Sequence, residues 1–209
     1  DKFPVKTARF ANVAFSNGSL PAGFLERISK HQPLSAPSDV KRYFVSPEES
    51  GQICMLSCIL GENRAIFFPK LEEAQMMTFD SIATALLKEY GYDALLCDSD
   101  EEAIQKATEF KTGDRSYPVH YSVSNTSGEK AFEEFVTDTE TADMDRFKSL
   151  GVITDKPIPD RDRLEELLKD LNGLFEKDAT TKEEVVAVMK DYLPNFEHIE
   201  TGKSLDSKM

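Results

Sequence analysis

The chain opens on alternation. Lys2–Val13 sets Val5, Phe10 and Val13 among polar residues, which predicts a strand that breaks at Asn17-Gly18. Ser19 then stands where a helix cap belongs, ahead of Phe24, Leu25 and Ile28 at helical spacing, with Pro21 tolerated in the first turn. Pro33–Ala36 and Arg42–Val45 read as short extended pieces. Ser46-Pro47-Glu48-Glu49 opens a second helix with a cap, a proline and first-turn acids, running to about Leu60. After Ile53 that helix is apolar on nearly all sides, which predicts burial, with Cys54 and Cys58 pointing into a core. Ala65–Pro69 reads as a strand, Thr78–Tyr90 as a helix capped by Thr78 and ended at Gly91, Ala94–Cys97 as a strand, Ser99–Phe110 as a helix opened by acids and Tyr117–Val123 as a strand. Strand and helix alternate up to residue 123, the mark of an α/β domain.

The pattern changes afterwards. Residues 98–150 hold 13 acids and 6 bases, which predicts a solvated surface. Lys156-Pro157-Ile158-Pro159 reads as a linker. Arg161–Phe175 and Thr181–Leu193 follow as amphipathic helices, with Asp178–Thr181 as turn and cap. The expected organisation is an α/β part over 1–123, an acidic loop-rich segment over 124–160 and a helical extension over 161–209. No internal repeat is found.

Composition narrows the function classes. The 209 residues carry a net charge of −13, which argues against non-specific binding to nucleic acid or to an anionic membrane. The longest apolar run, Ile53–Leu60, is far short of the ~20 residues that span a bilayer. Cys54, Cys58 and Cys97 make no disulfide framework and fit a reducing cytoplasm. His31, His120 and His198 are scattered, and no spacing predicts a metal site. Asp98, Asp100, Glu101 and Glu102 resemble a metal cluster only in number; a helix's first turn accounts for them. The chain opens on Asp1 just before a strand, so it reads as a piece cut from something longer.

Chemistry is sparse. There is no glycine-rich dinucleotide fingerprint, no Walker loop and no tyrosine with a lysine four residues on, so no catalytic residue is assigned. One constellation stands out: the strand Arg9–Val13 enters the polar turn Ser16-Asn17-Gly18 and then a helix at Ser19. Ligands in α/β sheets bind at the carboxyl ends of strands, and a helix start offers N–H groups to an anion. Asn12 can donate an amide hydrogen bond there, and Arg42 adds a charge suited to a phosphate. The alternative stands beside it: Asn12 as a turn-capping residue and Arg42 as a surface arginine.

The run R-F-A-N-V-x-x-S-x-G-S-L at 9–20, then P-L-S, K-R-Y-F-V-S-P-E-E, A-I-F-F-P-K and S-G-E-K, resembles the carboxyl-terminal half of an extended short-chain dehydrogenase/reductase. The branch it resembles is the polysaccharide-biosynthesis nucleotide-sugar 4,6-dehydratases, typified by UDP-N-acetylglucosamine 4,6-dehydratase. The match is specific over Arg9–Leu20, good to about Leu87 and weak through the last helices. The resemblance implies a Rossmann-type α/β fold, with residues 1–20 as the last portion of the Rossmann domain and the rest of 1–123 as the substrate-binding part. At ~30 residues per βαβ unit, roughly 150 residues carrying the glycine fingerprint and the catalytic groups would lie upstream.

By the same resemblance, Phe10 and Ala11 lie beside the nicotinamide of NAD or NADP, and Asn12 bonds the phosphate or sugar of a UDP-sugar substrate. Ser16, Asn17, Gly18, Ser19 and Leu20 shape the pocket floor, with N–H groups at Ser19 facing the diphosphate. Leu34 and Ser35 flank the uracil and Arg42 clamps the diphosphate. Glu129 and Lys130 are either a substrate-binding remnant or a solvated pair. Three departures matter: Phe15 stands where the family pattern has glycine, Asn17 where it has arginine, and Thr126-Ser127 where it has Arg-Pro. The expected parent is a cytoplasmic homo-oligomer. A nucleotide-sugar epimerase or reductase of the same superfamily is the alternative within enzymes. A non-catalytic interaction or oligomerisation module built on helices 161–193 is the alternative outside them.

Overall fold

Side-chain oxygens set where the helices begin. Ser19 Oγ accepts from Ala22 N at the start of α1 (Leu20–Ser29). Ser46 and Glu49 cap one another's backbone ahead of α2 (Pro47–Leu60), and Ser99 accepts from Glu102 N ahead of α4 (Asp100–Glu109). Between these, α3 (Phe79–Glu89) departs from expectation: Thr78 precedes it but its side chain makes no capping hydrogen bond, and the helix closes at Gly91, whose φ of 80° suits glycine. The computed structural model describes residues 3–125, 133–155, 158, 160–193, 196 and 198–200. It is mixed α/β and divides into two compact units: one holds the described residues of 1–124 and 130–155, the other those of 125–129 and 156–205.

In the first unit, β3 (Leu34–Pro37), β8 (Asp93–Leu96) and β9 (Ser116–Ser122) form a parallel sheet in the order β3-β9-β8. Parallel neighbours need a crossover, and α4 supplies it between β8 and β9. Leu34, Ala36, Tyr117 and Val119 face α1 and α3, where Phe24, Ile28, Ala83 and Leu87 complete the largest core. Side chains alternate across a strand, so Ser35 and His120 point to the other face, toward Asp100 at the start of α4.

A second, mixed sheet has the order β1-β6-β11-β10: β1 (Thr7–Ala8), β6 (Ile66–Pro69), β11 (Leu150–Ile153) and β10 (Ala142–Asp143). Here β1 runs parallel to β6 while β11 runs antiparallel to β6 and to β10. The strands β10 and β11 fall in the acidic tract, where the sequence signals no element. Gly151 is opposite Phe68, and a Cβ at 151 would fall 2.2 Å from the Phe68 ring, so a side chain there would displace it.

Two short ribbons complete the unit. The first pairs β2 (Asn12–Val13) with β5 (Phe44–Val45) in parallel; the second pairs β4 (Lys41–Arg42) with β7 (Met77–Thr78) antiparallel. The single strand expected over Lys2–Val13 is therefore two, β1 and β2, each in a different sheet.

Helix α2 overturns the expectation of burial. Only Ile53 and Ser57 are buried, Ile53 against Phe67 and Val152 and Ser57 by donating to Thr7 O at 3.1 Å. Met55, Ile59, Cys54 and Cys58 are exposed, so the two cysteines do not enter the core; Cys97 does. A helix laid on one face of a sheet buries one stripe, whatever the hydrophobicity of the rest.

The second unit contains a helical hairpin, α5 (Arg161–Phe175) and α6 (Lys182–Tyr192). Asp160 caps α5, and Thr181 with Glu184 forms a capping box on α6. Arg163 ties the two together by donating to Asp191 O at 2.6 Å and lying over the Tyr192 ring.

Candidate functional site

The ribbon β2-β5 brings together the two motifs that the sequence separates. Asn12 pairs with Phe44 and Val13 with Val45; Asn12 N donates to Tyr43 O at 3.1 Å and Ala14 N to Val45 O at 2.9 Å. The R-F-A-N-V and K-R-Y-F-V segments are thus two sides of one structure. Ala11, Tyr43 and Val45 form a small core beneath it, flanked by Leu71, Met76 and Phe135.

The turn after β2 is held by its own backbone. Ser16 N donates to Val13 O and Ser19 N to Ser16 O at 3.0 Å. The Ser19 hydroxyl takes the Ala22 N–H, and Pro21 has none to give. The Ser19 N–H expected to face a diphosphate is therefore already spent inside the turn. Phe15 has φ 57° and Gly18 φ 78°. The first is the position where the family pattern carries glycine, and its backbone still adopts the conformation glycine favours.

Arg42 is 7% exposed, so the sequence-based alternative of a surface arginine does not hold. Its guanidinium donates to Lys41 O at 2.8 Å, and Nε lies 3.6 Å from Glu133. Beside it opens a cavity of about 590 Å³, bordered by Asp39, Lys41, Tyr43, Met76, Glu133 and Phe135. That volume is ordinary for a small-molecule site. One side of its wall is aromatic, the Phe135 ring lying 5.4 Å from Tyr43 and stacking at 6.0 Å on Phe68, while Glu73 and Glu134 join Asp39 and Glu133 in an acidic rim opposed by Lys41.

Arg9 holds that wall in place. It meets Glu140 in a two-pronged contact of 2.7 and 2.6 Å and donates to Phe135 O at 2.9 Å. Glu140 also accepts from Thr137 N and Oγ1. The Arg9 hydrogen bonds, above all, pull the Glu140 carboxyl down to about 2. The sequence assigns Arg9 no role of its own; the signal it carries is an arginine inside a strand motif of a strongly acidic chain.

The remaining sequence-selected residues divide. Leu34 is 0% exposed in the main core, so it offers no surface to a uracil ring. Ser35 Oγ donates to Asp100 Oδ1 at 3.3 Å, and His120 Nδ1 lies 2.5 Å from the same oxygen. This Ser35–Asp100–His120 cluster is unforeseen in the sequence, since its members sit on β3, α4 and β9. Phe10 is 41% exposed and offers a ring face, whereas Ala11 is buried and, contrary to expectation, offers a nicotinamide no surface. Asn17 lies in the turn and Leu20 is the first residue of α1. Glu129 and Lys130 lie outside the described residues. Among the described residues no three His, Cys, Asp or Glu side chains are grouped to hold a metal. No described helix is long and apolar enough to cross a membrane.

These features define a mixed α/β protein with a cavity walled by a ribbon and a returning loop. Residues 2–155 match the model of the polysaccharide biosynthesis protein family, and the chain belongs to that family. No curated protein matches the chain. Among solved structures it is similar to Pen from Bacillus thuringiensis, at 15% identity with a TM-score of 0.49; the alignment covers 79% of this chain and 50% of that one. The chain thus spans about half the length of that structure.

Proposed function

We propose that this chain is the substrate-binding part of an NAD(P)-dependent nucleotide-sugar 4,6-dehydratase that acts on a UDP-N-acetylglucosamine-like sugar in surface polysaccharide biosynthesis. Membership of the polysaccharide biosynthesis family supports the pathway. The observation that supports the rest is the ribbon, which pairs Asn12 with Phe44, two residues after Arg42, while Lys41, Tyr43 and the Glu133 that meets Arg42 border a cavity. Arg42 is the diphosphate clamp in this reading. Glu133 faces its Nε at 3.6 Å with a half-exposed side chain, so the carboxylate gives way to a phosphate at small cost. A bidentate arginine–phosphate contact then contributes about 1.5–3 kcal/mol.

The test is calorimetric titration of UDP into the chain and into Arg42→Ala. The expected result is a ~10–150-fold weaker dissociation constant in the variant. Equal affinities would remove Arg42 from the site. The chain alone is expected to bind without turnover, because its sequence holds no dinucleotide fingerprint and no Tyr–Lys pair. Release of a 4-keto-6-deoxy sugar nucleotide by the isolated chain would overturn the assignment of catalysis to residues outside it.

A further inference from the structure

Helix α5 carries more apolar surface than its hairpin partner covers. Leu167 faces the groove lined by Ala187, Val188 and Tyr192 of α6. The neighbouring stripe, Leu164, Leu168 and Phe175, recurs at four and seven residues, the spacing of a helix–helix seam. Leu168 is 52% and Phe175 68% exposed. Within the two helices only Leu174 is buried. Helices of 15 and 11 residues have little stability without an apolar face packed against a partner. The hairpin also lies beyond residues 2–155, which the family model matches, so the family fold makes no claim on that face.

We propose that the Leu164–Leu168–Phe175 face of α5 is a homodimer interface, in which α5 of a second copy packs antiparallel to form a four-helix bundle. This inference is independent of the nucleotide-sugar reading. An isologous contact needs a self-complementary face, and the antiparallel register gives one. Leu164 meets Phe175 of the second copy, and Leu168 meets Leu171. Charge agrees with that register. Arg161 begins α5, while Glu176 and Asp178 follow its end, so each arginine reaches the acidic end of the facing helix, where its dipole also favours a cation. A parallel pair would set Arg161 against Arg161. An anionic lipid surface is disfavoured, because residues 161–192 hold 9 acids and 6 bases. A seam of one ~22 Å helix per copy is at the small end of stable interfaces, so a weak, micromolar association is expected.

The experiment uses the full chain. Sedimentation velocity over a concentration series should show a monomer–dimer equilibrium. The double variant Leu168→Glu, Phe175→Glu should stay monomeric with its helical circular dichroism unchanged. A parent that is monomeric throughout, because the face is covered by its own chain, overturns the proposal. So does a double variant that dimerises like the parent, or a parent that binds phosphatidylserine vesicles instead of itself. If the double variant loses helix, cross-linking decides. In a Cys54→Ser, Cys58→Ser background, Leu164→Cys chains mixed with Phe175→Cys chains should form an intermolecular disulfide. Leu164→Cys chains alone should not, since antiparallel packing holds the two 164 positions ~16 Å apart along the axis. Cross-linking of Leu164→Cys with itself, or none in the mixture, refutes the antiparallel seam.

Discussion

The two larger sheets of the first unit are built from similar residues and treated differently. The three-stranded sheet β3-β9-β8 is closed over by α1 and α3, and ten side chains disappear into the core between them. The four-stranded sheet β1-β6-β11-β10 receives α2, which contributes Ile53 and Ser57 and leaves the rest of its apolar surface outside. The contrast shows that a hydrophobic run records what a helix could bury, while the elements available opposite decide what it does bury. In α3, Phe79, Ala83 and Leu87 form one buried stripe with Ile82 and Leu86 packed beside it, and the whole apolar face fits its groove. In α2 the run Ile53–Leu60 circles the helix, so most of it has no groove to fit.

Substitutions can test that difference directly. Phe24→Ala, in the closed core, should lower unfolding stability by about 3–5 kcal/mol, whereas Ile59→Ala, on the open face of α2 and 72% exposed, should change it by less than about 0.5 kcal/mol. Denaturant melts of the two variants measure this, and comparable losses would mean that the α2 face is covered after all. In the mixed sheet, Gly151→Ala should cost about 1–3 kcal/mol by driving a methyl into the Phe68 ring. Adding Phe68→Leu should recover part of that loss; no recovery would place the strain elsewhere.

Smaller effects probe the loop that walls the cavity. Glu140 is held near 2 in the folded chain against 4.5 for an ordinary glutamate. Its contribution is therefore complete above about pH 4.5 and is lost as pH falls toward 2. With Arg9 partly open to solvent, the contribution should be about 1–2 kcal/mol, and Glu140→Gln should remove that part of the acid sensitivity. Parallel acid-unfolding curves for parent and variant would contradict it. The smallest expected effect is a gain. Phe15→Gly should stabilise by about 0.5–1 kcal/mol, because relief of the left-handed backbone slightly exceeds the added freedom of the unfolded chain. A loss in thermal melts would show that the half-exposed Phe15 ring is worth more than its strain.

Local chemistry was legible where it acts over a few residues. The caps at Ser19, Ser46 and Thr181 and the stop at Gly91 follow from the side chains present, and α2 to α6 lie within a residue or two of the expected spans, while the cap expected of Thr78 is not made and the one Ser99 makes was not expected. Pairing was not legible. The strands β1, β2, β4, β5 and β7 have two residues each, too few to display an alternation. For β11, Leu150–Ile153 is apolar but flanked by charges, and only its position between β6 and β10 explains why all four residues are buried. The same holds for the site. The motifs at 9–20 and 41–45 were visible as motifs, but their meeting in one ribbon, the Arg9–Glu140 tie and the Asp100–His120 contact span distances along the chain that no periodicity encodes.

The order of the mixed sheet has a consequence for synthesis. Strand β6 carries Phe67 and Phe68 at the centre of its sheet, with β1 on one side and β11 on the other. As the chain leaves the ribosome, β1 can meet β6 early, but β11 does not exist until residues 150–153 have been made. For that interval one edge of β6 stands open beside its phenylalanine rings, whereas the sheet of β3, β8 and β9 has all its strands once residue 122 is made. Open edges with exposed aromatic side chains are where nascent chains mispair. The vulnerable period in the life of this protein is thus a short stretch of translation, and a pause placed between codons 70 and 150 would lengthen it without altering a single contact of the finished fold.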